Sequence, residues 1–173
     1  MNNAQLINQT SGAVEYYTPA PIIEAARRTM GSISLDPACC HAANMTVKAT
    51  RYFTIADNGL AQNWIADTLW MNHPFSRQHN AAWIKKLIHE YKSERTQQAC
   101  CITFASTSEA WFRPLFNFPQ CYLSPRTNYI GTNGRAVRGV SKGSVVTYLG
   151  PNVMHFAREF QELGKVMVPY INR

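Results

Sequence analysis

The chain has 173 residues, of which 46% are hydrophobic and 16% are charged, and these proportions exclude an intrinsically disordered chain. No apolar run approaches the ~20 residues of a membrane span, and the N-terminus lacks a signal-peptide pattern. The formal net charge of +7 favours an acidic partner. We therefore expect one cytoplasmic domain over residues 1–173, with no membrane contact and with residues 1–13 as a flexible tail.

The N-terminal part of the chain is predicted to alternate helices with short strands. Thr18 and Pro19 are typical of a helix start, with Thr18 as N-cap, and Gly31 is typical of a helix end. Apolar runs bounded by turn residues then predict strands over 32–36, 51–55 and 68–72.

The C-terminal part continues the alternation. A helix is predicted over 80–93, and "STSE" at 106–109 resembles a capping box that opens a short helix before Pro114. The remaining predicted elements are strands at 99–105, 120–124 and 144–149, a helix at 152–164 and an apolar stretch at 165–170. Strands buried on two sides that alternate with helices indicate an α/β sheet with helices on both faces.

The cysteines do not form a recognisable metal motif. Cys39 and Cys40 are adjacent, as are Cys100 and Cys101, and no pair has the Cys-x-x-Cys spacing of a zinc site. His41 follows the first pair, but neighbouring side chains on a strand point to opposite faces. We predict small buried thiols in a reducing compartment and no metal.

Positive charge is concentrated in the second half of the chain. The stretch 110–158 contains no acidic residue, and its glycine-rich part is able to follow a phosphate backbone. An ordinary solvated basic face is the alternative. The candidate nucleic-acid-binding residues are Arg77, Arg126, Arg135, Arg138 and Lys142.

Two predicted strands end in polar residues. Asp36 closes the strand 32–36, and Asn72 closes the strand 68–72. Ligands of such sheets bind beyond the carboxyl ends of the strands, where the strand order reverses. We therefore expect Asp36 and Asn72 to lie on one rim of the sheet.

The segment Asn72-His73-Pro74-Phe75 resembles the Asn-Pro-Pro-Tyr/Phe motif of amino methyltransferases that use S-adenosylmethionine, with His73 in place of a proline. "EYYTP" (15–19), "LDPACCHAAN" (35–44) and "ADNGLAQNW" (56–64) are similar to other segments of that family. In this order, and followed by Trp111-Phe112 and a basic loop, they resemble the small phage-type DNA N6-adenine methyltransferases over about Val14 to Val168. The resemblance implies a Rossmann-like S-adenosylmethionine-dependent methyltransferase sheet, DNA as the partner and, if the protein is phage-encoded, a bacterial host cytoplasm.

The resemblance also implies a role for each motif residue. The Asn72 side-chain oxygen and the His73 backbone carbonyl would accept the N–H groups of the target amine, Pro74 would stiffen the turn, and Phe75 would stack on the flipped base. The implied cofactor-binding residues are Tyr17, Thr18, Pro19, Asp36, Pro37, Ala38 and Asp57.

Alternatives remain open at this level. An Asn-x-Pro-aromatic pocket also suits cytosine N4 or a protein glutamine, and His73 favours a catalytically inactive DNA-binding protein that keeps the fold. Locally, Thr18 is equally typical of an N-cap, and Asp57-Asn58-Gly59 is equally typical of a turn. The motif 72–75 is also compatible with a plain X-Pro turn whose aromatic ring packs into the core. The sequence leaves the recognition sequence and the oligomeric state open.

Overall fold

The computed structural model describes residues 16–75, 79–137 and 140–170. The strands are β1 Leu35–Asp36, β2 Arg51–Tyr52, β3 Ala66–Met71, β4 Thr96–Phe104, β5 Gln120–Leu123, β6 Ser144–Leu149 and β7 Gly164–Met167. The α-helices are α1 Ala20–Met30, α2 His41–Val47, α3 Asn80–Lys92 and α4 Val153–Phe160, with short 3₁₀ helices at Gly59–Ala61 and Arg113–Asn117. Within these ranges, no helix combines the length and the apolar character needed to span a membrane.

All seven strands form one sheet with the order β2-β1-β3-β4-β6-β5-β7. The first four strands in that order are parallel, whereas β6 is antiparallel to β4 and β5, and β7 is antiparallel to β5. Strands β1 and β3 are neighbours, with Leu35 opposite Leu69, although β2 lies between them in the chain. The strand order therefore reverses between β1 and β3.

Alternating side chains on the central strands build two cores. Trp70 of β3 packs on the face covered by α1 and α4. Leu69 and Met71, its neighbours in the chain, pack on the opposite face with α3. This arrangement confirms the predicted α/β sheet with helices on both faces.

The start of α1 differs from its prediction. The helix begins at Ala20 with Pro19 in the N-cap position, and no side chain caps it. Tyr17 is held in a β-bridge to Ile130, so Thr18 continues an extended segment and its hydroxyl is buried. The predicted N-cap role of Thr18 is therefore wrong, whereas Gly31 ends the helix as predicted, at a φ of 86°.

Two other segments also differ from their predictions. "STSE" forms turns rather than a helix, with Glu109 N donating to Ser106 O. The next helical segment is a 3₁₀ helix that begins at Arg113 and contains Pro114 near its start, where the missing proline N–H is not needed. Conversely, helix α2 occupies a stretch for which the sequence analysis gave no helix or strand, and it is N-capped by Cys40.

Candidate active site

A pocket lies beyond the carboxyl ends of β1 and β3, where the strand order reverses. Three segments that are distant in sequence meet in its walls. The lining includes Tyr17 and Thr18 before α1, Asp36 and Ala38 after β1, and Asn72, His73 and Pro74 after β3. The prediction that Asp36 and Asn72 share one rim is confirmed.

Asn72 is held by the segment before α1. Its Nδ2 donates to the backbone oxygen of Tyr16 at 2.5 Å. Among the described residues, no donor occupies the Asn72 side-chain oxygen, and the side chain is only half-buried. The amide is therefore fixed through its donor, which leaves its acceptor oxygen for a ligand.

The His73 side chain is buried against α3. Its exposed fraction is 1%, and its Nε2 lies 2.9 Å from Asn80 Oδ1. Burial lowers the pKa of His73 to about 4, although the bond to Asn80 acts in the opposite direction. The imidazole is therefore neutral near pH 7.

Phe75 lies beside the pocket in an aromatic cluster. The cluster comprises Tyr16, Phe75, Phe104 and Tyr129, and the Phe75 ring centroid lies 4.4 Å from that of Phe104 and 5.7 Å from that of Tyr129. Phe75 is half-buried and is not among the lining residues of the pocket. Its ring is thus held in a fixed position at the border of the site.

Asp36 is a buried acid in the pocket wall. Its exposed fraction is 2%, and its Oδ1 accepts a hydrogen bond from Ala38 N at 3.0 Å. Burial raises the pKa of Asp36 to about 7, with the Ala38 N–H and the Cys39 thiol acting in the opposite direction. A cationic ligand group in the pocket would therefore favour the ionised carboxylate.

The segment 56–64 supports the turn that follows Asp36. A Cβ atom on Gly59 would lie 1.9 Å from the backbone oxygen of Pro37, so the two backbones touch only because residue 59 has no side chain. Trp64 Nε1 donates to Gly59 O at 2.8 Å and holds residue 59 in this contact. The Gly59 contact therefore positions the Asp36-Pro37 turn.

Gly59→Ala is expected to lower the free energy of unfolding by about 1–3 kcal/mol, because the Pro37 backbone must move to admit the methyl group. Thermal unfolding of the ligand-free protein measures this change. Gly143→Ala is the matched control, since a Cβ at residue 143 meets no atom within 4 Å. Equal melting temperatures for the two variants would contradict the proposed contact.

Asp57 does not line the pocket. It is exposed, and its Oδ2 accepts hydrogen bonds from Thr54 N at 2.8 Å and from Thr54 Oγ1 at 2.7 Å. These two bonds lower the pKa of the Asp57 carboxyl. Pro19 and Pro37 are likewise absent from the lining, although each directly adjoins a lining residue.

Other lining residues were not predicted from the sequence. Trp70 is the largest of them, and its Nε1 is buried without a hydrogen-bond partner in the described part of the chain. Its position two residues before Asn72 was an available signal, because side chains at that spacing project from the same face of a strand. The others are Tyr16, Cys40, Ala43 and Val47.

The basic loop, which connects β5 and β6, is attached to the segment before α1 that borders the pocket. Tyr17 and Ile130 exchange two backbone hydrogen bonds, of 2.8 and 2.9 Å. Arg126, Arg135 and Lys142 are exposed, and Lys142 Nζ lies 5.7 Å from the centroid of the Phe104 ring. The predicted residues Arg77 and Arg138 lie outside the described residues.

The cysteine side chains are free thiols, of which four are buried and Cys40 is half-buried. Across residues 16–75, 79–137 and 140–170, no group of three or more histidine, cysteine or acidic side chains is arranged to hold a metal ion. The thiols therefore contribute to packing, and Cys39 and Cys40 additionally lie in the pocket wall.

Comparison with known proteins identifies the family. The model described as DNA N-6-adenine-methyltransferase (Dam) matches residues 9–165, which include all three pocket segments. A search of the curated proteins finds no match. The mixed sheet and its helices agree with a Rossmann-like methyltransferase fold. The chain therefore belongs to the DNA N-6-adenine-methyltransferase family and is an enzyme that methylates adenine in DNA.

Proposed function

We propose that this enzyme transfers the methyl group of S-adenosyl-L-methionine to the N6 amine of an adenine that is flipped out of DNA into the pocket at residues 72–74, which Phe75 borders. The observation that carries the proposal is the meeting of Asp36 and Asn72 at the strand-order reversal. This position lets one pocket hold a cofactor beside β1 and a target base beside β3.

The wall beside β1 fits the cofactor chemically. The buried Asp36 carboxyl suits the methionyl ammonium, and Ala38 allows the cofactor to approach the backbone. Tyr17 and Thr18 would border the cofactor carboxylate, and the Thr18 hydroxyl is buried with no partner among the described residues. When bound, the cofactor supplies a methyl group already activated on a sulfonium.

The cofactor-binding set proposed from the sequence extends beyond this wall. Pro19 and Pro37 would shape the backbone next to Thr18 and Asp36. Asp57 is proposed to accept hydrogen bonds from the ribose or the adenine of the cofactor, and its exposed position agrees with contact to the outer part of an extended ligand.

The residues after β3 would prepare the amine. The lone pair of an exocyclic adenine amine is delocalised into the ring, which makes the amine a poor nucleophile. The Asn72 side-chain oxygen and the His73 backbone carbonyl would accept its two N–H groups and draw the nitrogen toward a tetrahedral geometry. Because the methyl donor is already activated, positioning and charge stabilisation are sufficient and no strong base is required.

Phe75 would hold the flipped base. Extruding a base from the duplex costs on the order of a few kcal/mol, and stacking on an aromatic ring returns ~1–3 kcal/mol. The contacts of Phe75 with Phe104 and Tyr129 fix its ring in place, so little side-chain freedom is lost when a base binds. Pro74 lines the pocket between this ring and His73 and limits the freedom of the turn.

The basic loop would bind the phosphates on either side of the flipped base. Its backbone bonds to Tyr17 place Arg126 and Arg135 on a loop anchored to the pocket wall. Lys142 extends the same surface next to the aromatic cluster. We include Arg77 and Arg138 in this surface because of their positions in the sequence.

The double variant Arg135→Ala, Arg138→Ala is expected to weaken DNA binding and to reduce its salt dependence. The slope of the logarithm of the binding constant against the logarithm of the salt concentration should become less negative by about 0.9 for each lost phosphate contact. Titration of a DNA duplex at several salt concentrations measures the slope. Lys85→Ala combined with Lys92→Ala is the matched control, because it removes the same charge from exposed positions on α3. Equal slopes for the two double variants would exclude the loop from the DNA interface.

Transfer of labelled methyl from S-adenosyl-L-methionine to unmethylated plasmid DNA, followed by nucleoside analysis, tests the proposed function. N6-methyladenine as the product is the expected result. Label at cytosine N4 or in protein would refute adenine N6 as the methylated group. Cofactor binding without any transfer would indicate that another planar amine is the substrate. The absence of both transfer and cofactor binding would instead indicate an inactive DNA-binding protein.

A further inference from the structure

The His73 imidazole makes three directed contacts. It stacks on Trp83, with ring centroids 6.2 Å apart and planes inclined by 30°. It meets Phe75 edge-on at 5.9 Å and 79°. Its Nε2 lies 2.9 Å from Asn80 Oδ1. A residue in the pocket wall is therefore joined by its side chain to the beginning of α3.

The partners of the ring are themselves fixed. Asn80 and Trp83 are three residues apart on α3 and so share one side of the helix. Trp83 stacks on Trp64, with ring centroids 5.8 Å apart. Trp64 is fully buried and is anchored by its hydrogen bond to Gly59 O. The imidazole thus rests on a rigid aromatic stack that continues to the turn beside Asp36.

We propose that His73 is a positioning residue, whose imidazole fixes the backbone carbonyl of residue 73 in the pocket by its attachment to Asn80 and Trp83. We name these three residues the His73 latch. The proposal rests on the proposed function, in which that carbonyl accepts an N–H of the target amine. Proline, the usual residue at this position of the motif, restricts the backbone through its ring, and the latch achieves the same restriction through tertiary contacts.

The hydrogen bond between His73 and Asn80 distinguishes a positioning role from a role in packing alone. Burial of a ring nitrogen is unfavourable unless the nitrogen is hydrogen-bonded. Nε2 lies within hydrogen-bond distance of Asn80 Oδ1, whereas Nδ1 is buried with no partner among the described residues, so the bond to Asn80 is the polar contact that offsets the burial of the imidazole. The bond to Asn80 also has a directional requirement that hydrophobic contact lacks, so it determines the rotation of the ring. A ring fixed in rotation and stacking constrains the peptide groups on either side of it.

A double-mutant cycle on kcat tests the latch. His73→Ala and Asn80→Ala are each expected to lower kcat by about 10- to 100-fold, as for small displacements in a catalytic site, without changing the Kd of S-adenosyl-L-methionine. The combined variant is expected to be no slower than the slower single variant, within about twofold, because the two residues act as one unit. His89→Ala, at an exposed position on the same helix, is the control and is expected to keep the wild-type kcat.

His73→Pro completes the test, because proline restricts residue 73 without Asn80. It is expected to recover most of the kcat that His73→Ala loses, and Asn80→Ala in the proline background is expected to change kcat by less than about twofold. If Asn80→Ala has the same effect in both backgrounds, or if it leaves the wild-type kcat intact, the latch is refuted. Asn80→Ala keeps the buried imidazole ring. Its effect on kcat in the wild-type and His73→Pro backgrounds therefore tests the latch even if His73→Ala fails to fold.

The same measurements distinguish the latch from the proposed function. The nucleoside that the wild-type enzyme methylates reports on the proposed function alone. A product other than N6-methyladenine would refute that function. The cycle, measured as kcat for whichever product forms, would still show whether His73 and Asn80 act as one unit.

Discussion

Asn72→Ala is expected to lower the rate of methyl transfer by about 10³-fold, at the upper end of what the loss of one preorganised polar contact costs in an enzyme. The physical reason is the loss of the side-chain oxygen that would accept an N–H of the target amine. The Kd of the cofactor is expected to stay nearly unchanged, because Asp36, the buried acid of the proposed cofactor wall, belongs to β1. Single-turnover methyl transfer and calorimetric titration of S-adenosyl-L-methionine measure the two quantities.

Asn72→Asp distinguishes the role of the Asn72 side-chain oxygen as an acceptor from the role of its Nδ2 as a donor. It keeps an acceptor oxygen at the same place but loses the Nδ2 donor to Tyr16 O. We expect its rate to lie between those of the wild type and Asn72→Ala, since the acceptor remains but its orientation is no longer fixed. Asn117→Ala, at an exposed asparagine in the second 3₁₀ helix, is expected to retain the wild-type rate. Loss of both transfer and cofactor binding in Asn72→Ala would place Asn72 on the cofactor side of the pocket.

The elements with strong hydrophobic periodicity could be predicted from the sequence. Helix α3 was predicted over 80–93 and observed over Asn80–Lys92, and the strand predicted over 99–105 is β4, Thr96–Phe104. The rule that parallel strands bind ligands at their carboxyl ends placed Asp36 and Asn72 together, and the structure confirms this. Long buried segments show a hydrophobic periodicity in the sequence, because packing requires apolar residues at regular positions along the whole element.

The short elements could not be predicted, because contacts distant in sequence decide them. Helix α2 has seven residues and is capped by the Cys40 sulfur, which is a weak acceptor and not one of the usual capping groups. The backbone before α1 is extended because Tyr17 bonds to Ile130, a residue more than a hundred positions away. Neither the sulfur cap nor the bridge leaves a local signal in the sequence.

The surroundings of residues 72–75 could not be predicted for the same reason. The sequence shows that His73 departs from the usual motif, but it does not show that Asn80 and Trp83 receive the imidazole. Phe75 belongs to a cluster whose other members come from three further segments, at Tyr16, Phe104 and Tyr129. The motif indicates the candidate groups, whereas the fold determines how rigidly each one is held.

Asp36→Asn is expected to stabilise the ligand-free protein at pH 8 and to weaken cofactor binding. Burial raises the pKa of Asp36 from 3.8 to about 7. Between these values the folded protein keeps a proton that the unfolded chain has released. The stability from this group is therefore fully present below about pH 4 and is lost as the pH rises through 7. An amide resembles the protonated acid, so the variant should gain up to about 4 kcal/mol at pH 8.

His73 affects the same pH range with the opposite sign. Its folded pKa of about 4 lies below the ordinary value of 6.5, so stability is lost as the pH falls from 6.5 to 4. The wild-type profile therefore combines two opposing contributions. The difference between the wild type and Asp36→Asn cancels the His73 contribution and isolates that of Asp36. Chemical denaturation at pH 4 and pH 8 measures this difference, with Asp67→Asn as the exposed control.

At pH 8, Asp36→Asn is expected to change the stability of the protein and its affinity for the cofactor in opposite directions. The variant and the wild type should be equally stable at pH 4, and the variant should be more stable at pH 8. At pH 8 the variant should also bind S-adenosyl-L-methionine at least about tenfold more weakly, because the cofactor ammonium loses its counter-charge. A variant that is less stable at pH 8 would show that Asp36 is an ionised group already stabilised by the fold. Greater stability together with weaker binding would mean that the buried acid is unfavourable for folding and is retained because the positively charged cofactor requires it.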